Sequence, residues 1–274
     1  MKKLIALLLA LVMVMALAAC APSNNEETTP KGDTATNNAN TSIQTVEEGK
    51  LIMATNAAVP PYEYIESNEI VGIDAEIANA IAEKLGLELV ITDMEFDSII
   101  ESVKGGKADI GLAGLTVTDE RKEEVDFTES YATGVQVIIV NEDSTIVSVD
   151  DLFADGANTK IGVQRNTTGD LYTTWDLEDE GLATIDRYSK GAEAVQALKT
   201  GKVDCVVIDN EPAKAFVDSV EGLKILETEY IEEQYAAAMN KENTELYEAV
   251  NNALKALIED GTVKGIIEKY IPAE

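Results

Sequence analysis

The chain of 274 residues contains no histidine. That excludes Ser-His-Asp and Cys-His nucleophilic catalysis and any histidine-ligated zinc site. Cysteine occurs only as Cys20 and Cys205, too few for a disulfide framework or a four-cysteine metal centre. No cofactor is expected. Bases are scarce, with 21 Lys and Arg against 51 Asp and Glu and a formal net charge of −30. A phosphate-binding surface needs the opposite sign, so nucleic acid is excluded as a partner, as is a polybasic grip on anionic lipid. What remains is an ordinary globular balance, 45% hydrophobic and 26% charged. The length suits one or two domains with a full core.

One long hydrophobic run stands apart. Lys2 and Lys3 precede an unbroken apolar stretch from Leu4 to Ala21, which closes on Leu17-Ala18-Ala19-Cys20. A positive start, an apolar centre and small residues just before a cysteine match a bacterial lipoprotein signal. Residues 1–19 are therefore read as a signal peptide and Cys20 as the lipidated residue, which predicts a membrane lipid anchor. The other reading, an uncleaved anchor helix, also leaves the rest of the chain outside the cytoplasm. Residues 20–46 are rich in Asn, Thr, Pro and Glu. Such a segment buries too little to offset its ordering entropy and reads as a disordered tether.

From Lys50 onward strand and helix patterns alternate, the mark of an α/β protein. Leu51–Thr55 reads as a strand. Ile73, Ile77, Ile81 and Leu85 line one face of a helix, with Asp74 placed to cap it. Val135–Val140 reads as a longer apolar strand. The segment Val103-Lys104-Gly105-Gly106-Lys107-Ala108-Asp109 is echoed by Leu198-Lys199-Thr200-Gly201-Lys202-Val203-Asp204. Each copy ends a helix on glycine and enters a short strand, which suggests two lobes of similar plan. The tail does not form a third lobe. Leu246, Val250, Leu254 and Leu257 mark a helix that returns to the first lobe, and Ile266 and Ile267 mark another. The expected division is 47–137 with 235–274 as lobe 1 and 138–234 as lobe 2. Two crossing strands near Val137–Asn141 and Gln234–Asn240 form the hinge, with a ligand cleft between the lobes.

Several motifs occur in a fixed order. They include Val59-Pro60-Pro61-Tyr62-Glu63-Tyr64, Gly72-Ile73-Asp74-Ala75-Glu76-Ile77-Ala78, Leu115-Thr116-Val117-Thr118-Asp119-Glu120-Arg121, Gly162-Val163-Gln164-Arg165-Asn166-Thr167-Thr168-Gly169 and Val207-Ile208-Asp209. With Asp126-Phe127-Thr128 and Asp260-Gly261-Thr262, this sequence resembles the family 3 extracellular solute-binding proteins, the amino-acid receptors of ABC importers, over about residues 47–272. The resemblance implies a type II periplasmic-binding-protein fold, an amino-acid ligand, a membrane permease as partner and no catalysis. A monomer is the default. The alternative within this fold is an enzyme of the cyclohexadienyl dehydratase kind, for which Glu63 and Glu211 are the candidate acids.

The resemblance also implies a site. An amino-acid zwitterion carries a carboxylate and an ammonium on one carbon, and a dry cleft must match both. Arg121 is the candidate clamp for the carboxylate, since a guanidinium fork binds it through parallel hydrogen bonds. The Thr116 amide and the Thr168 amide and hydroxyl join it. Asp209 is the candidate partner of the ammonium, completed by the Gly114 carbonyl and the Thr116 hydroxyl. The residues alone leave rival readings open: a solvated helix face for Arg121 and a helix N-cap for Asp209. Phe96 corresponds to one wall of the side-chain pocket. Val59 stands where relatives often carry an aromatic ring, and Asn56 where many receptors for basic amino acids carry an acid. Gln164 and Gly169 are placed on the second-lobe wall. These departures point to an uncharged or polar amino acid. Asn166 replaces a common glycine, and asparagine tolerates left-handed backbone. Cys205, in a Val/Ile strand, reads as a buried small hydrophobe.

Overall fold

Apolar residues run unbroken from Leu51 to Ala54 along the first strand, β1 (Lys50–Thr55), because each face of it is buried against a different helix layer. In the computed structural model, which describes residues 43–272, Leu51 and Met53 pack in one core cluster with Ile73, Ile77 and Ile81. Ile52 and Ala54 pack on the opposite face with Ile99 and Val103. The segment read as a signal peptide, Cys20 and the segment read as a tether, through residue 42, lie outside the described residues. The end of the segment read as a tether is bonded to the domain. Ile43 packs on the first core, the Asn243 side chain donates to the Gln44 carbonyl (2.9 Å), and the Val46 N–H donates to Asp109 Oδ1 (2.8 Å).

Lobe 1 continues through a small antiparallel sheet, β2 (Ala58–Val59), β3 (Glu63–Glu66) and β4 (Glu69–Val71), then α1 (Ile73–Leu85), β5 (Glu88–Asp93), α2 (Ile99–Lys104), β6 (Ile110–Gly111) and α3 (Asp119–Glu124). The strand β7 (Asp126–Asn141) leads out of it. Lobe 2 contains β8 (Thr159–Gln164), α4 (Thr168–Thr173), β9 (Ala183–Tyr188), α5 (Gly191–Lys199), β10 (Cys205–Asp209), α6 (Asn210–Ser219) and β11 (Leu223–Ile225). The chain returns through β12 (Ile231–Met239) and ends in α7 (Thr244–Glu259) and α8 (Thr262–Tyr270). Leu246, Val250 and Leu254 of α7 close the first core of lobe 1.

The strands of the large sheet run β5-β1-β6-β12-β7-β10-β8-β9, with β11 also on β7. Each lobe therefore contributes a parallel block, and the antiparallel pair β12–β7 joins them. This is the two-lobed α/β fold with two crossing strands that the sequence suggested. The first crossing strand is much longer than the apolar run Val135–Val140. Its first half carries Glu129, Ser130 and Thr133, because that half is buried on one face only. Deeper in lobe 2, Val137, Ile139 and Val206 feed one core cluster. Ile138, Val140, Val207 and the buried free thiol Cys205 feed another.

One local expectation is corrected. Asp74 does not cap α1: the N-cap is Gly72, and no side chain bonds the first turn. Asp74 lies inside the helix, where its carboxylate points across the lobe rather than back to the helix amides. Its Oδ2 accepts from the Gly114 N–H (2.7 Å) and the Tyr131 hydroxyl (2.9 Å). Among the described residues no helix is long and apolar enough to cross a membrane.

Candidate ligand-binding cleft

A cavity between the lobes has an empty volume, mouth included, of about 560 Å³. That suits a small organic ligand. Lobe 1 lines it with Val59, Phe96, Gly114, Thr116 and Arg121. Lobe 2 contributes Gln164, Thr168 and Asp209, and the crossing strands Gln136 and Tyr235.

Arg121 reaches the cavity because of where α3 begins. The Thr118 hydroxyl caps the helix by accepting the Arg121 N–H (3.1 Å). Arg121 is then buried while Asp119, Glu120, Lys122 and Glu123 face solvent. Its guanidinium lies over the Phe96 ring, 5.5 Å from the centroid. Nη1 donates to the Thr116 carbonyl and Nη2 to the Asn166 carbonyl, both at 2.9 Å. The second bond spans the lobes. Asn166 adopts the left-handed conformation (φ 60°) that the replaced glycine would take. Burial pulls the guanidinium pKa down and Glu233 opposes that pull, but an arginine stays charged.

Asp209 is both cap and cavity wall. Its Oδ1 accepts the Glu211 N–H (3.1 Å) at the start of α6. Its Oδ2 accepts the Tyr235 hydroxyl and the Val135 N–H (3.3 Å) from the two crossing strands. Burial pushes this carboxyl up to about 7, against the pull of those donors. Gly134 makes the arrangement possible. A Cβ there would lie 2.0 Å from the Tyr235 hydroxyl and 2.8 Å from Asp209 Oδ2. Arg121 and Asp209 thus bring opposite charges into one cavity from opposite lobes.

The remaining candidates divide. Gly114, Thr116, Thr168, Phe96, Val59 and Gln164 line the cavity. Asn56 and Gly169 do not. Asn56 lies behind the wall, where its Oδ1 accepts from Gln164 Nε2 (3.0 Å) and its Nδ2 donates to the Met94 carbonyl (2.8 Å). Gly169 is packed so tightly that a Cβ would come within 2.9 Å of the Val207 carbonyl oxygen. The two acids of the dehydratase reading are also absent from the lining. Glu63 is fully buried beside Asp74, and burial with that neighbour's charge raises its pKa. Glu211 pairs with Lys214 (2.8 Å).

Sequence reasoning missed Gln136, Tyr235 and Glu233. Glu233 is buried, and its Oε2 accepts from the Thr116 hydroxyl (3.1 Å) and from Gln136 Nε2 (3.0 Å). No local signal marks it, since it follows another glutamate in a chain of 51 acids.

Comparison with known proteins agrees with this geometry. The family model for bacterial extracellular solute-binding proteins, family 3, matches residues 51–273. The arginine-binding extracellular protein ArtP of Bacillus subtilis (strain 168) is 32% identical over 277 aligned residues, covering 100% of both chains. An ancestral arginine-binding protein solved with arginine is 38% identical, with a TM-score of 0.75 over 81% of this chain and 98% of that one. An ancestral arginine-binding protein solved with glutamine is 36% identical, with a TM-score of 0.75 over 83% and 100%. By sequence, by two-lobed fold and by the cleft between its lobes, the chain belongs to the family 3 bacterial extracellular solute-binding proteins.

Proposed function

We propose that the protein is an extracytoplasmic receptor that binds a free amino acid in the inter-lobe cleft and delivers it to the permease of an ABC importer. The observation that carries this reading is that buried Arg121 and buried Asp209, from different lobes, line the same cavity. Arg121 takes the ligand carboxylate together with the amides of Thr116 and Thr168. Asp209 takes the ammonium together with the Gly114 carbonyl and the Thr116 hydroxyl. A ligand bonded to both lobes favours the closed arrangement, and the permease reads that arrangement. Cys20 carries the lipid that holds the domain at the outer face of the cell membrane, and the protein acts as a monomer.

The ligand side chain is uncharged. Ala58, Val59, Ile208, Pro212 and Phe216 also line the cavity, and among the described residues its lining holds no carboxylate besides Asp209. A cationic side chain there would meet no second carboxylate, and an unpaired buried charge is costly. Relatives named or solved as arginine-binding do not fix the ligand of this chain, because one ancestral arginine-binding protein was solved with glutamine.

Thermal unfolding of the full chain in detergent, against each common L-amino acid, tests both statements. A ligand at a hundredfold excess over Kd adds about 2.7 kcal/mol of stability. The expected result is a shift with an uncharged amino acid, recovered unchanged afterwards. A shift with arginine or lysine alone overturns the side-chain statement. No shift with any amino acid overturns the receptor reading.

A further inference from the structure

A threonine hydroxyl has one proton and two lone pairs. Toward an ammonium group it helps only as an acceptor, so its proton must go elsewhere. Thr116 has a fixed place for that proton. The loop that carries it runs beside β12: Thr116 bridges to Tyr235, the Val117 N–H donates to the Gln234 carbonyl (3.0 Å), and the Ala236 N–H donates to the Leu115 carbonyl (3.1 Å). This strapping holds the Thr116 hydroxyl against Glu233 Oε2 at 3.1 Å.

Glu233 is well suited to receive the proton. It is 4% exposed and sits on the second crossing strand opposite Gly134. Its Oε2 is fixed by Gln136 Nε2 at 3.0 Å, while its Oε1 is buried with no donor among the described residues. No lysine or arginine pairs with it within salt-bridge distance among those residues. Burial raises its pKa, and hydroxyl and amide donors and the Arg121 charge oppose that rise. One of those donors is Thr168, from the other lobe, whose hydroxyl lies 3.4 Å from that of Thr116.

We propose that Glu233 is a positioning residue for ligand binding: it takes the Thr116 hydroxyl proton and so turns that oxygen's lone pairs toward the ammonium group of an amino-acid ligand. The inference rests on the receptor reading above. Without an acceptor at 233, the Thr116 hydroxyl keeps only the longer contact to the Thr168 hydroxyl (3.4 Å), and part of its orientations present a proton to the ammonium. Asp209 would then hold the ammonium with one acceptor fewer.

A double-mutant cycle tests this. Binding of each common L-amino acid is titrated calorimetrically to the full chain, to Glu233→Leu, to Thr116→Val and to the double variant. Either single change is expected to weaken binding about tenfold, the scale of one hydrogen bond to a charged group. In the Thr116→Val background, Glu233→Leu should cost nothing more, because the hydroxyl it orients is gone. Glu233→Gln should keep most of the affinity, since its amide oxygen still accepts and Gln136 Oε1, which lacks a donor, can accept from its amide nitrogen. Glu233→Met replaces Glu233→Leu in the cycle if the leucine variant does not fold. Additive losses, unchanged affinity in the apolar variant, or a glutamine variant as weak as the apolar one overturn the inference and leave the receptor reading standing. No binding of any amino acid to the unmodified chain overturns both.

Discussion

The two lobes use one device at two strengths. In lobe 1 the chain leaves α2, turns at Gly106 (φ 65°) and places Asp109 against β1; in lobe 2 it leaves α5, turns at Gly201 (φ 68°) and places Asp204 against β8. Each acid docks reciprocally on the first strand of its lobe. The Asp109 N–H donates to the Ile52 carbonyl and its Oδ2 accepts the Ile52 N–H, both at 2.8 Å. The Asp204 N–H donates to the Lys160 carbonyl (2.7 Å) and its Oδ2 accepts the Lys160 N–H (2.8 Å). The difference lies in burial and in one further bond. Asp109 is 4% exposed and also accepts the Val46 N–H, tying down the entry of the chain, whereas Asp204 is exposed. The lobes differ as sharply where they meet the cavity, lobe 1 presenting a cation and lobe 2 an acid. A shared plan sets the scaffold, and the lobes diverge in what they turn into the cavity, Arg121 from α3 and Asp209 from the end of β10.

The comparison breaks most clearly at the two charges. Arg121→Met is expected to weaken amino-acid binding by about 3–5 kcal/mol, the cost of removing one partner from a buried charge pair. Calorimetric titration reads the loss; retained affinity would remove Arg121 from the site. Asp209→Asn should lose a comparable amount of binding but differ in its pH signature. Its folded pKa, about 7, lies above the ordinary carboxylate value. The folded state therefore holds a proton that the unfolded chain releases, and this group lowers stability progressively as pH rises from about 4 to 7. Asp209→Asn should accordingly unfold at a higher temperature than the unmodified protein at pH 8, without ligand, and show no such gain at pH 4. The ammonium needs the ionised form of Asp209. Affinity of the unmodified protein should thus fall by about tenfold per pH unit below 7, and a flat profile would assign the ammonium to another group.

The paired turns separate by a smaller margin. Asp109→Ala leaves the buried Ile52 amide and the part-buried Val46 amide without an acceptor and is expected to cost about 2–3 kcal/mol; Asp204→Ala frees one amide at an exposed position and should cost about 1 kcal/mol or less. Equal losses in chemical denaturation would show that burial does not set the difference. Smallest is the exposed bridge between lobes, Arg165 to Asp97 at 3.3 Å. Arg165→Ala should change stability by under about 1 kcal/mol. A larger loss, with weaker ligand binding, would make that bridge a latch for the closed form.

The strands and helices with apolar periodicity were legible because burial on one face imposes a local pattern. Ile73, Ile77 and Ile81 of α1 are all fully buried, as their spacing requires. The first half of β7 was less legible, since a half-buried strand with Glu129, Ser130 and Thr133 resembles a loop in composition. Arg121 was visible only through the order of surrounding motifs, because its own neighbours are those of a solvated helix. Asp74 was misplaced for a related reason: a cap and a long-range acceptor need the same residue type, and only the packing of Gly114 and Tyr131 around it tells them apart.

The sequence by itself determined the α/β plan, the repeated turn and the return of the tail to the first lobe. All of these follow from near-neighbour pattern and from residue types ordered along the chain. Only the tertiary structure decided which polar groups meet. Glu233 reaches Thr116, Tyr235 reaches Asp209 and Arg121 reaches Asn166 across long stretches of chain. Such partnerships leave no period in the sequence, because they exist only where two crossing strands and two lobes converge on the same dry volume.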